Sequence, residues 1–231
     1  METMDLQQLA AYLQRDARDL SKWASRGYLP AHKVSGEWRF HRSEINHWVE
    51  TQMHAYTEQE LLAVEKGGDA RHKEEPLLAV LLSEATIAVP LRAGTKPSVL
   101  RELVNVAEQS WQVYDPEAIL QAIRAREELS STALESGVAI PHPRRPLPNA
   151  LGESVVAYGR TASTIPFGAP SGVGTDIFFL VCCRDDRTHL RVLARLSRLL
   201  LRPQFLESLR AAETPAETFR LIQEAEQDLI G

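Results

Sequence analysis

The feature that most limits what this chain can fold into is an unbroken apolar segment, IFFLVCC, at residues 177–183. It falls far short of the roughly 20 residues that a membrane-spanning helix needs. A strand with one buried face alternates apolar and polar side chains, whereas a strand covered on both faces is apolar throughout. The segment therefore predicts a central strand between two layers of other elements.

The sequence around this segment alternates between strand and helix patterns. Apolar segments predict shorter strands at residues 87–91, 138–140 and 154–158. Helical periodicity predicts helices at residues 96–110, 116–128, 189–201, 206–211 and 215–228. Because strands that alternate with helices typically form one sheet with helices packed on it, we expect an α/β fold.

Composition excludes several classes of protein. The 231 residues carry a net charge of −5, so the whole chain is not expected to attract nucleic acid non-specifically. The two cysteines, Cys182 and Cys183, are adjacent, so they cannot link distant segments and they make a poor metal site. The N-terminus lacks the basic and apolar regions of a signal peptide. We expect a cytoplasmic protein without membrane insertion, bound metal or cofactor.

One segment, KGGDARHKEEP at residues 66–76, is a candidate domain boundary. It contains glycine and many charges but no large apolar side chain, which is typical of a linker. The sequence therefore predicts an N-terminal domain at residues 1–65 and a larger domain at residues 77–231.

The N-terminal domain is expected to contain three helices and a β-wing. Residues 6–13 and 16–26 predict the first two helices. Ser35 and Gly36 are a turn pair between two short predicted strands, and a third helix is expected to begin near residue 43. Two helices, a wing and a further helix form a layout that DNA-binding domains use.

Residues 5–50 resemble the excisionase- and MerR-type winged helix-turn-helix. The resemblance rests on Leu9 and Tyr12 in the first helix and on Gly36, Trp38 and Phe40 in the wing. It implies double-stranded DNA as a partner and transcription regulation as a function. The side chains expected to reach phosphates and base edges are all basic: Arg15, Arg18, Lys22, Arg26, Lys33, Arg39 and Arg42.

A second interpretation of this domain stays open. Asp16 and Asp19 lie in the expected recognition helix, where carboxylates repel phosphates. Residues 1–50 also contain seven basic and seven acidic side chains, whereas DNA-binding domains are usually basic. A domain with this fold that serves dimerisation or partner docking is therefore the alternative, and it leaves a homodimer open.

The segment richest in chemical information is GVAIPH, at residues 137–142. Pro141 restricts its own φ and biases Ile140 towards an extended backbone, so the chain leaves the predicted strand in a fixed direction. His142 is therefore expected on a rigid strand end. Such a position suits a ring nitrogen that must meet an incoming group in line.

GVAIPH, preceded by Arg126, Glu127 and Thr132, resembles the IIA domain of the mannitol/fructose class of the bacterial phosphoenolpyruvate-dependent phosphotransferase system (PTS), including its nitrogen-regulatory members. About 47 positions later, His189 and Leu190 match a second motif of that family. The resemblance extends over roughly residues 77–230. It implies a three-layer α/β/α sandwich with a mixed sheet.

The resemblance also implies the chemistry. His142 would carry a phosphoryl group, received from an HPr-type phosphocarrier and passed to a IIB domain or kept as a regulatory mark. Arg126 would hold phosphoryl oxygens, His189 would donate a hydrogen bond or orient His142, and Thr132 would position the site through its hydroxyl. This chemistry requires His142 to be accessible to its donor.

Two alternative functions remain. One is a sugar-transport IIA phosphocarrier whose N-terminal domain only dimerises. The other is a non-catalytic DNA-binding regulator with a degenerate IIA domain, because Pro143 has no backbone N–H to offer a phosphate. A basic stripe on the predicted helix 189–201 is either a solvated face or a docking strip for an acidic partner: Arg191, Arg195, Arg198 and Arg202.

Overall fold

A computed structural model describes residues 3–67 and 75–231. Most of the linker expected at residues 66–76 lies outside this part of the chain. Within the described residues, four helices and a small sheet form an N-terminal unit, and six helices and a larger sheet form a C-terminal unit.

The first two helices of the N-terminal unit begin at side-chain caps. Helices α1 (Leu6–Leu13) and α2 (Ala17–Ser25) follow Asp5 and Asp16, whose carboxylates accept hydrogen bonds from backbone N–H groups of the first turn. Such caps satisfy donors that a helix leaves without partners at its N-terminus. Both helices lie where the sequence pattern predicts them.

The wing is a short antiparallel sheet. Strands β2 (His32–Val34) and β3 (Glu37–His41) pair with each other, and β1 (Thr3–Met4) pairs with the other edge of β3. Ser35 and Gly36 have φ values of 51° and 87°, as a tight two-residue hairpin turn requires. The predicted hairpin is therefore present.

Two further helices complete the N-terminal unit. Helix α3 (Arg42–Gln52) was expected, whereas α4 (Glu58–Lys66) was not. Thr57 and Glu60 form a reciprocal capping box at the start of α4, and Gly67 ends it with a left-handed backbone. Helices α3 and α4 both contact the C-terminal unit.

The C-terminal sheet has the strand order β4-β6-β7-β5. Its strands are β4 (Ile87–Ala88), β5 (Val138–Ala139), β6 (Val155–Ile165) and β7 (Thr175–Cys182). The central pair β6–β7 is antiparallel, while β4 and β5 run parallel to their neighbours. The expectation of an α/β fold with a mixed sheet is confirmed.

Helices cover both faces of this sheet. Alternate residues of β7 point to opposite faces, so Phe178 and Leu180 pack into one apolar cluster while Phe179 and Val181 pack into the other. The helices are α5 (Leu78–Leu81), α6 (Lys96–Glu108), α7 (Pro116–Leu129), α8 (Asp186–Leu200), α9 (Pro203–Ala211) and α10 (Pro215–Ile230). Those on the first face are α6 and α7, and α8 to α10 pack on the second.

The second cluster continues into the N-terminal unit. Leu9, Leu20 and Leu61 of that unit belong to the same group of buried residues as Leu193 and Leu196 of α8. The two units therefore share one apolar core, with α8 as the common wall.

Candidate functional site

His142 lies at the carboxyl end of β5, where Pro141 directs the chain out of the sheet. Its Nδ1 is 2.7 Å from the carbonyl oxygen of Ile140. Because a carbonyl can only accept, Nδ1 carries the proton and Nε2 of the neutral ring holds a lone pair. That Nε2 is buried and has no hydrogen-bond partner among the described residues.

His189 lies in the first turn of α8, a helix capped by the side chain of Asp185. The His142 and His189 rings meet edge to face with centroids 5.1 Å apart. The fold thus brings together the two histidines that the family resemblance singled out.

A carboxylate that the sequence did not indicate completes the group. Glu50 of α3 places one oxygen 2.9 Å from His189 Nε2 and the other 3.5 Å from His142 Nε2. Its side chain is 3% exposed. Burial by itself raises the pKa of Glu50, but the neighbouring side chains of His142, His189 and His47 outweigh this and hold that pKa far below its usual range. Glu50 is therefore an anion.

His142 is not accessible in this arrangement. Its ring is 4% exposed, and burial lowers its pKa more than the neighbouring Glu50 carboxylate raises it. The expectation of an exposed ring is wrong for this arrangement, because α3 of the N-terminal unit covers the strand end. We call this arrangement, with α3 and α4 packed against α8, the docked form.

Arg126 and Thr132 line the same cavity as His142. Arg126, in the last turn of α7, donates to the Ser130 carbonyl at 2.9 Å, while its buried Nε has no hydrogen-bond partner among the described residues. Thr132 donates its hydroxyl to Glu127, which also binds the ammonium of Lys96 at 2.8 Å. Glu127 thus holds Thr132 in place, and the Nε–H group of Arg126 can still donate a hydrogen bond.

These side chains line a cavity of about 590 Å³ between the two units. Arg126, Thr132 and His142 contribute its polar wall from the C-terminal unit, and Glu50 contributes from α3. The remaining wall is mainly apolar and includes Met53, Leu61, Leu134, Leu193 and Leu200. The site of the predicted phosphoryl carrier therefore lies in a partly open cavity at the interface between the two units.

Two arginines of the basic stripe on α8 bind carboxylates of the same chain. Arg195, which is 0% exposed, donates to Glu65 of α4 at 2.8 Å and to Glu226 of α10 at 2.6 Å. Arg198 donates to the other oxygen of Glu65 at 2.8 Å. Neither interpretation that the sequence left open describes Arg195 and Arg198, because both are buried and bind carboxylates of the same chain.

Glu65 is ionised in this setting. Burial by itself raises its pKa, but the guanidinium groups of Arg195 and Arg198 outweigh the burial and hold the pKa of Glu65 below its usual range. Glu226 also accepts hydrogen bonds from the backbone N–H groups of Leu77 and Leu78. These contacts tie α4, α5, α8 and α10 together.

Four of the seven side chains expected to touch DNA point to solvent. Arg18, Lys22 and Arg26 recur every four residues on or just after α2 and are exposed on one side of it. Asp19 makes an exposed ion pair with Lys22 at 3.3 Å. Lys33, on the wing, is exposed and lies over the Trp38 ring.

The other three side chains contact protein groups. Arg15 binds Glu60 at 2.8 Å and lies over the Trp23 ring, so it holds α4 against the first helices. Arg42 lies over the ring of Tyr12, and Arg39 donates to Glu37 at 2.9 Å. The exposed α2 group and Lys33 are therefore the better candidates for a DNA-binding surface.

No helix among residues 3–67 and 75–231 is long and apolar enough to cross a membrane.

Comparison with known proteins identifies both units. Residues 80–225 match the family described as "Phosphoenolpyruvate-dependent sugar phosphotransferase system, EIIA 2". The chain belongs to this family. Residues 3–53 match a helix-turn-helix domain. Both recognitions made from the sequence are confirmed.

Two relatives of this chain differ in how much of their own length the similarity covers. The "PTS system fructose-specific EIIABC component" of Bacillus subtilis is 30% identical over 58% of this chain but over only 21% of its own length. The "Nitrogen regulatory protein" of Pseudomonas aeruginosa is 26% identical over 63% of this chain and 94% of its own length. This second relative corresponds almost entirely to the C-terminal unit.

A solved structure gives the same result for the fold. The crystal structure of "Nitrogen Regulatory Protein IIA-Ntr" from Neisseria meningitidis has a TM-score of 0.58 at 25% identity. It covers 64% of this chain and 99% of that one. The EIIA fold accounts for the C-terminal unit, so Glu50 and the rest of α3 lie outside the region that the EIIA family shares.

Proposed function

We propose that this EIIA family protein is a regulatory phosphocarrier that receives a phosphoryl group on His142 from an HPr-type donor and transmits the phosphorylation state through its N-terminal unit to DNA or a protein partner. One observation carries the proposal. Glu50 of the N-terminal unit lies between His142 and His189. A phosphoryl group on His142 Nε2 would need the same space.

The chemistry needs no general base at His142. Its Nδ1 proton is bound to the Ile140 carbonyl, so the Nε2 lone pair is available to attack phosphorus. As the new nitrogen–phosphorus bond forms, the corresponding bond of the donor phosphohistidine breaks, and its electron pair returns to the donor ring. Arg126 and His189 supply the positive charge and hydrogen bonding that the phosphoryl oxygens require.

Phosphorylation and docking exclude each other in this scheme. A phosphoryl group adds a charge of about −1.5 to −2, and it would face the Glu50 carboxylate inside a buried site. Two anions at such a distance repel strongly where water is excluded. The donor must therefore capture an undocked form, and the product cannot dock again until the phosphoryl group leaves.

The coupling to DNA works through the arrangement of the two units. In the docked form Arg18, Lys22 and Arg26 are already exposed, so docking does not cover the face of α2. Release of α3 and α4 from α8 would instead change the position and orientation of the helix-turn-helix relative to the EIIA unit. A DNA site read by two copies of the chain is sensitive to such a change, because half-site spacing is geometric.

A second candidate is a DNA-binding regulator whose EIIA unit no longer transfers phosphoryl groups. The burial of His142, at 4% exposure, favours it. In that case the Glu50 contacts would be permanent, and the C-terminal unit would act as a scaffold.

Labelling separates the two candidates. The full chain is incubated with phosphoenolpyruvate, Enzyme I and an HPr-type carrier, and acid-labile phosphate on the protein is measured over time. The proposal expects a label on the wild type and none on His142→Ala. If neither the wild type nor Glu50→Ala acquires label, or if His142→Ala labels equally, the phosphocarrier proposal is lost.

A further inference from the structure

We propose that Glu50, His142 and His189 form a binding site for a divalent transition-metal ion of the zinc class, and that the ion joins the N-terminal unit to the C-terminal unit. One ligand comes from α3, one from the end of β5 and one from the start of α8. Occupation of the site would thus fix the docked arrangement.

The positions of the donor atoms fit such an ion. The carboxylate oxygen and the two ring nitrogens all lie within 4.8 Å of one another. Glu50 is 2.9 Å from His189 Nε2 and 3.5 Å from His142 Nε2. Ligands about 2.0–2.1 Å from a tetrahedral zinc ion stand roughly 3.3 Å apart. To admit the ion, the side chains rotate to this spacing, and the proton that His189 Nε2 donates to Glu50 moves to Nδ1, which frees the Nε2 lone pair for the metal.

The hydrogen bonding of His142 prepares it as a ligand. Its Nδ1 proton is donated to the Ile140 carbonyl, which orients the ring and leaves the Nε2 lone pair facing Glu50. Histidines that bind metals commonly use their other nitrogen in this way. Two electron-rich groups, a lone pair and a carboxylate, otherwise face each other in a buried site, and His142 Nε2 has no hydrogen-bond partner among the described residues. A cation between them would remove the repulsion between the lone pair and the carboxylate and would give His142 Nε2 a partner.

The ligand set selects the class of ion. Two imidazoles and one carboxylate suit zinc, cobalt, nickel or iron rather than magnesium or calcium, which prefer oxygen ligands. The buried Glu50 carboxylate gives the site one negative charge before the ion binds. The charge of Arg126 opposes a cation, although its guanidinium is directed to Ser130.

The fourth coordination position faces the cavity. Glu50 and His142 both line the interdomain cavity of about 590 Å³, so water or a small anion can complete the shell. Three protein ligands with one open position are the arrangement of catalytic zinc sites, whereas closed structural sites use four. No metal was expected from the sequence, because the three ligands lie on separate segments and have no recognisable ligand spacing.

The ion would also compete with phosphoryl transfer for His142 Nε2, and this consequence alone rests on the proposed function. Binding itself does not. The test therefore uses the untagged full chain without any phosphoryl donor, so that a failure to label His142 leaves its result unaffected.

The experiment is a titration of chelator-treated protein with Zn²⁺ by calorimetry and with Co²⁺ by visible absorption. We expect one ion per chain and the intense visible bands of tetrahedral cobalt. Glu50→Gln and His189→Gln should each weaken binding by about tenfold or more. Glu58→Gln, at an exposed carboxylate of the same unit, should leave binding unchanged.

One more variant excludes a surface site. His32 binds Glu44 at 2.8 Å and lies beside His41, so an ion could bind at the wing. Loss of binding in Glu44→Gln, with binding retained in Glu50→Gln, would place the ion there and overturn the proposal. Absence of any Zn²⁺ or Co²⁺ binding by the wild type would overturn it as well. Circular dichroism of each variant verifies that its fold is kept.

Discussion

Glu50 of helix α3 accepts a hydrogen bond at 2.9 Å from His189, a residue 139 positions further along the chain. This contact joins the helix-turn-helix unit to the reactive end of the EIIA unit. Under the proposed function, phosphoryl transfer to His142 would therefore depend on a residue outside the family's own fold.

Removing the Glu50 carboxylate should open the site. If undocked molecules are a few per cent of the total, they limit the rate at which a donor reaches His142. We expect Glu50→Ala to raise the initial rate of His142 labelling by about tenfold. Glu58→Ala is the matched control and should label like the wild type. An unchanged rate in Glu50→Ala would show that α3 does not gate the site.

The buried ion pairs between α4 and α8 should contribute strongly to stability. Glu65→Gln leaves the buried guanidinium groups of Arg195 and Arg198 without their shared carboxylate. Breaking a buried pair in this way costs about 3–5 kcal/mol in the free energy of unfolding. Denaturant unfolding measures the loss.

An exposed ion pair on α10 provides the comparison for Glu65→Gln. Arg220 and Glu224 are 3.8 Å apart with side chains 67% and 64% exposed. Glu224→Gln should therefore change the free energy of unfolding by less than about 1 kcal/mol. Equal effects of the two substitutions would contradict the role assigned to Glu65.

Acid should weaken the same contact. The pKa of Glu65 is lower in the folded chain than in the unfolded chain, where it is about 4.3. Its stabilisation is therefore complete above that unfolded value and is lost as the pH falls through the lower folded value. The denaturation midpoint should drop more steeply below about pH 4 in the wild type than in Glu65→Gln. Parallel pH profiles would exclude Glu65 as a source of the loss.

The exposed cations of α2 should control DNA binding, once a DNA ligand has been obtained by selection from genomic fragments. Arg18→Ala and Lys22→Ala should weaken binding, and each lost phosphate contact should reduce the salt slope by about 0.9. Arg15→Ala should instead lower the melting temperature, because Arg15 binds Glu60 and Trp23. A larger effect of Arg15 than of Arg18 on the salt slope would reverse this assignment.

Local patterns predicted most elements, and the exceptions have physical causes. Strand β6 was expected at residues 154–158 but continues to Ile165, because it pairs with β7 again at Ile165 after an irregularity beyond Arg160, in a segment whose polar residues hide the strand pattern. Helix α4 was missed because nine residues are marginal as an isolated helix, and packing against α8 stabilises it. In both cases a distant partner decides the structure.

The candidate site shows the same division. His142, Arg126, Thr132 and His189 could be proposed from motifs, since each motif is a short segment with a recognisable order. Glu50 could not, because it lies on a helix of another unit and has no motif around it. Arg195 looked like one member of a surface stripe, yet it is fully buried against Glu65.

The sequence by itself determined the starts of α1, α6, α7 and α10, the wing turn, the central strand and the placement of His142 after Pro141, because caps, turn residues and proline act through neighbouring backbone. Only the tertiary structure decided that His142 is covered and that Glu50 faces both histidines. Those contacts depend on how α3 and α4 pack against α8, and packing between surfaces so far apart in sequence leaves no local pattern to read.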